Sequence, residues 1–77
     1  MMKMLIENII KNHHLPYETT TIENSALYRI FKPNISIHIY KNMVIIMGNR
    51  KTKYIPIEYQ KVIEKYLLEL LEEEEDE

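Results

Sequence analysis

Three histidines and one cationic run hold most of the reactive chemistry in this chain. His13 and His14 are adjacent, His38 follows Ser36-Ile37, and Arg50-Lys51-Thr52-Lys53 concentrates positive charge. On an extended strand, residues two apart share a face, so Ser36 and His38 have the polarity of a nucleophile and its base. No glycine-flanked nucleophile elbow surrounds that serine, and Gly48 is the only glycine available for an anion-binding loop. Paired carboxylates are lacking too: Met1 to Leu71 contains no Asp, and its Glu residues are spaced as on a surface. The chain reads as a non-enzyme, with no catalytic residue and no small-molecule substrate indicated.

Metal binding needs ligands that converge, and neighbouring residues at a helix end, such as His13 and His14, diverge. A histidine there is explained by interaction with the last helix carbonyls. The absence of cysteine excludes disulfides and thiolate sites. No metal and no cofactor is expected. Anions are better served. Arg50, Lys51 and Lys53 come shortly before Pro56, which suits the first position of a helix, and free N–H groups at a helix N-terminus attract negative charge. Arg29, Phe31, His38 and Tyr40 mix cations with stackable rings, as nucleic-acid-binding sheets do. Binding of RNA or DNA through Arg29, Arg50, Lys51 and Lys53 is therefore one functional expectation.

The charge distribution supports it. The formal net charge is −2, but the run Glu72 to Glu77 is wholly acidic and supplies −6. Ten Lys and Arg against six Glu leave the preceding body at +4. The expected organisation is a single domain over residues 1–71 and an acidic tail over 72–77. Acid at a helix C-terminus opposes the macrodipole, so the tail is expected to fray. Its reading is a solubilising segment, with shielding of the basic run or mimicry of phosphates as alternatives.

These residues need elements to position them. Leu5, Ile6, Ile9 and Ile10 recur with helical spacing over Met2–Asn12, and Pro16 discourages continuation. Four β-prone runs follow, Tyr17–Ile22, Ser25–Phe31, Ile35–Tyr40 and Met43–Met47, broken at Glu23-Asn24, Pro33-Asn34 and Lys41-Asn42. Short breaks in series imply an antiparallel meander. Its register pairs Glu18 with Arg29, Ile30 with Ile37, Tyr28 with Ile39, Ile39 with Val44 and Ile37 with Ile46. One face then carries Tyr17, Tyr28, Ile30, Ile35, Ile37, Ile39, Val44 and Ile46. After the basic loop, Tyr59, Val62, Ile63, Tyr66, Leu67, Leu70 and Leu71 trace a helix beginning at Pro56, with Leu68 on its polar side. The fold expected is α+β, ordered α-β-β-β-β-α: a four-stranded meander with both helices on one face. This layout resembles that of double-stranded-RNA-binding domains, although here the lysines precede the helix and the β1–β2 loop is shorter.

That arrangement leaves the opposite sheet face open, and its residues are apolar: Leu27, Phe31, Tyr40, Met43, Ile45 and Met47, with His38 among them. Such a patch exceeds what an ordinary monomer exposes comfortably. The leading expectation is a protein-interaction module, homodimeric through this face with help from Leu68, or bound there to another protein. The longest unbroken apolar run, Met43–Met47, is far short of the roughly 20 residues that span a bilayer, and no leader is evident. No membrane association is expected, and the chain reads as intracellular and cytoplasmic. Abundant Ile, Lys, Asn and Tyr suit an A/T-rich genome such as that of a virus or plasmid, where small regulators and inhibitors are common.

Overall fold

Alternation of Ile35, Ile37 and Ile39 puts three β-branched side chains on one side of a strand, and that strand is the middle of the sheet. The computed structural model describes residues 2–73. Its elements are α1 (Met2–Asn12), β1 (Tyr17–Ile22), β2 (Ser25–Ile30), β3 (Ile35–Ile39), β4 (Met43–Gly48), β5 (Lys51–Pro56) and α2 (Gln60–Glu73). They form a single α+β domain whose one antiparallel sheet runs β1-β2-β3-β4-β5. Ile6, Ile9 and Ile10 of α1 and Ile63, Leu67 and Leu70 of α2 share one core with Tyr28, Ile30, Ile35, Ile37, Ile39, Val44 and Ile46. Both helices therefore cover the face that alternation marks as apolar.

The sheet has five strands rather than four. The segment expected to be a basic loop reverses at Asn49-Arg50 and returns as β5, pairing Ile55 with Val44 and Lys53 with Ile46. Asn49 and Arg50 take φ of 53° and 63°, the left-handed pair that a two-residue type I′ hairpin requires. Asparagine tolerates that region; arginine is disfavoured there, and glycine in its place has no such penalty. Arg50→Gly is expected to stabilise the fold by about 1 kcal/mol, read as a raised urea midpoint at unchanged slope. An unchanged or lowered midpoint contradicts the turn assignment.

Three further expectations are corrected. Pro56 ends β5 instead of opening the helix, and α2 begins at Gln60. The β2–β3 reversal centres on Lys32-Pro33, whose peptide bond is cis, one residue earlier than expected. Ile30 thus pairs with Ile35 and Tyr28 with Ile37. This shift of two residues leaves every face assignment intact, because side chains alternate with period two. Glu18 with Arg29, Ile39 with Val44 and Ile37 with Ile46 pair as expected. Finally, α2 is rotated: Tyr59 and Val62 are exposed, while Leu68 is half-buried against the core. Gly48 permits the close approach of α2, since a Cβ there would lie 3.2 Å from Leu70 Cδ1 and 3.1 Å from Ile35 Cγ1.

At the end of α1 the Leu15 N–H reaches the Ile10 carbonyl (3.0 Å) and the His14 N–H that of Lys11 (3.1 Å). His14 has φ 55°, so this is a Schellman stop with histidine in the position that usually belongs to glycine. His13 Nδ1–H donates to the Ile9 carbonyl (3.0 Å). Both histidines thus serve the helix stop, His13 through its ring and His14 through its backbone. Glu72 and Glu73 continue α2 past the expected boundary at Leu71; the remainder of the acidic tail, with its expected fraying, lies outside the described residues.

Candidate functional site

Cross-strand pairing orders the open face into rows. One row runs Thr20, Leu27, His38, Ile45, Tyr54 across all five strands. A second runs Glu18, Arg29, Ser36, Met47, Thr52. Beyond the first row lie Ile22, Ser25, Met43 and Pro56, with Tyr40 bonded through its N–H to the Met43 carbonyl (2.8 Å). Because the strands alternate, everything on this face points away from both helices. Leu27, His38, Met43 and Ile45 are half-buried by their neighbours, whereas Phe31, Tyr40, Met47 and Tyr54 are exposed.

The patch anticipated from sequence is thus assembled on one surface, with one exception. Leu68 belongs to the helix layer and packs against the core on the other side of the sheet. Two residues were overlooked. Tyr54 is 65% exposed beside Ile45 and joins the face only because β5 exists. Ile22, 64% exposed at the end of β1, extends the patch; its parity with Glu18 and Thr20 was the available signal.

Polar groups on this face hold one another. His38 Nδ1 and the Tyr40 hydroxyl are hydrogen-bonded at 3.2 Å, with ring centroids 6.0 Å apart. The Arg29 guanidinium sits 5.6 Å from the centre of the Phe31 ring, within cation–π range. Ser36 lies beside His38 on the face, but the imidazole nitrogen is bonded to Tyr40, so no nucleophile–base arrangement forms at Nδ1. No group of three or more His, Asp or Glu converges among the described residues.

The four basic candidates separate. Arg29 is on the open face and Arg50 at the tip of the β4–β5 hairpin, while Lys51 and Lys53 point to the helix side. Lys51 Nζ lies 3.5 Å from Glu73 Oε1, and Asn49 Nδ2 donates to the same oxygen at 2.6 Å. Lys53 Nζ rests 5.6 Å from the Tyr66 ring centre. The hairpin therefore meets the C-terminal turn of α2, not its N-terminus, and the anticipated coincidence of cations with free helix N–H groups does not form. An open depression of about 450 Å³ adjoins this hairpin, lined in part by Asn34, Ser36, Gly48 and Arg50.

Among the described residues no helix is long and apolar enough to cross a membrane. Comparison with protein-family models, curated proteins and solved structures finds no match to this chain.

Proposed function

We propose that this chain is a non-enzymatic protein-interaction module that pairs with a second copy of itself through the open sheet face. The observation that carries this is the row Leu27-His38-Ile45-Tyr54 with Met43 and Met47 beside it, on a face that no other described element covers. Its charges are balanced, Glu18 against Arg29, so two copies meet without like-charge repulsion from an excess of either sign. Five strands about 4.8 Å apart and some 17 Å long present a flat projection of roughly 400 Å² per copy. Side-chain relief enlarges the accessible area, which brings the contact to the low end of stable interfaces. A micromolar dimer is the fitting expectation.

Light scattering across the micromolar range tests this. Dimer mass should appear with rising concentration, persist at high salt, and shift at least tenfold to higher concentration in Ile45→Asp. A monomer throughout would remove the proposal, and a salt-sensitive dimer would mean that charge rather than the apolar row holds it. Nucleic-acid binding has weaker support, because Arg29 and Lys51 face opposite sides of the sheet and Lys51 is paired with Glu73. Retention of RNA or DNA that weakens steeply with salt would revive it.

A further inference from the structure

The two edges of the sheet are protected to different degrees. In β5, Lys51, Lys53 and Pro56 guard the backbone, the devices by which edge strands avoid pairing with another chain. In β1, Tyr17-Glu18-Thr19-Thr20-Thr21-Ile22 has neither lysine nor proline. Every residue of β1 except Tyr17 is exposed, including Thr19 and Thr21 on the helix side. Glu18 to Ile22 stay exposed although Lys3 of α1 lies near Thr21, and among the described residues β2 is the strand's only neighbour in the sheet.

The hydrogen-bond phase of the free edge follows from one contact. Phe31 N–H donates to the Pro16 carbonyl at 3.1 Å, and these residues continue the β1–β2 register. Hydrogen-bonded and non-hydrogen-bonded pairs alternate along an antiparallel ladder. Glu18, Thr20 and Ile22 therefore turn their N–H and C=O groups toward β2, and Tyr17, Thr19 and Thr21 turn theirs outward. On β5, the Ile57 N–H bond to the Asn42 carbonyl (3.0 Å) sets the phase in the same way. There the outward positions are Thr52, Tyr54 and Pro56, so one of them has no donor to offer.

We infer that the β1 edge is a second self-association surface, on which β1 of another copy pairs antiparallel about a two-fold axis through Thr19. In that register Thr19 faces its own copy, and Tyr17 and Thr21 face each other. Every outward N–H then meets an outward C=O. Glu18 falls opposite Thr20, so the strand's one charged residue does not face itself, and the two Thr19 side chains make a favourable cross-strand pair. The product is a continuous ten-stranded sheet with all helices on one side. This contact is geometrically separate from the open face and does not depend on it.

Amide hydrogen exchange on the intact chain reads it directly. At low concentration the amides of Glu18, Thr20 and Ile22 should be protected and those of Tyr17, Thr19 and Thr21 open. At high concentration the outward three should become protected as well, in wild type and in Ile45→Asp alike. Thr19→Pro removes an outward donor without touching the bonds to β2, and should weaken edge pairing about tenfold or more. Thr19→Lys, which sets two lysines opposite each other at an exposed site, should do the same if the proline variant fails to fold. Free exchange of Tyr17, Thr19 and Thr21 at the highest concentration reached overturns the inference, even where the open-face dimer forms. Protection that persists in both Thr19 variants overturns it equally.

Discussion

Ile46→Asp is expected to leave no folded protein, while Ile45→Asp, one residue away, keeps a circular dichroism spectrum and a melting transition close to those of wild type. Ile46 is fully buried between Ile37 and Lys53 of the neighbouring strands, under the helices. No cation is buried with it: the Lys53 ammonium lies at the rim against the Tyr66 ring, and the Tyr28 hydroxyl is already donated to Glu7. Burial of an unpaired charge costs several kcal/mol, and the isoleucine's own hydrophobic contribution of about 1.5–3 kcal/mol is lost besides. A domain this small has stability near the lower end of the usual range, about 5 kcal/mol, so the sum exceeds what it has. Ile45 points the other way, between His38 and Tyr54, where a carboxylate keeps its water; the expected cost is within about 1 kcal/mol. Urea denaturation of both variants decides. Should Ile45→Asp unfold and Ile46→Asp survive, the faces are exchanged and the proposed binding surface is the core.

The same parity explains how much could be read in advance. Isoleucine at every second position, with Tyr28, Val44 and Ile46 in step, defines one buried face whatever the turns do. A turn misplaced by one residue at Lys32-Pro33 moved the β2–β3 pairing by two and so left the face unchanged. β5 escaped because its pattern is written in lysines. Lys51 and Lys53 occupy positions on the helix side where a central strand would carry apolar residues, and at the rim their long stems reach Glu73 and the Tyr66 ring. Read as composition they suggest a loop; read as alternation with Ile55 they are a strand. Its turn was hidden as well, since Arg50 stands where a type I′ hairpin favours glycine.

The missing strand also decided the reading of the basic residues. As a loop they would have crowned a helix N-terminus; as β5, Lys51 reaches the far end of α2 and Lys53 its middle, and Arg29 lies across the sheet from Lys51. The apolar patch lost nothing by the change. It gained Tyr54 and the width of a fifth strand, which is why the self-association reading draws more from the geometry than the nucleic-acid reading does.

Stability should fall as the pH rises from about 10 to about 12, and Tyr28 should account for a definable part of that fall. Its ring is fully buried and stacks on Tyr17 at a centroid distance of 6.2 Å. Its hydroxyl donates to Glu7 Oε2 at 2.6 Å, which ties α1 to the sheet. Burial disfavours the phenolate, and the Glu7 carboxylate both needs the proton for its hydrogen bond and repels the anion. Together these push the phenol from 10.0 to about 12. The folded state thus holds the proton more tightly than the unfolded chain. The resulting stability is fully present below the unfolded value of 10.0 and is lost as the pH climbs through about 12. A shift of this size corresponds to about 2–3 kcal/mol. Tyr28→Phe should cost about 1–2 kcal/mol at neutral pH, where the hydrogen bond is lost and Glu7 left half-buried without it. The variant should also decline less steeply than wild type above pH 10, because every other group is common to the two proteins and cancels in the comparison. Parallel declines would mean that the bond between Tyr28 and Glu7 does not hold the phenol's proton, and that α1 is docked by its isoleucines alone.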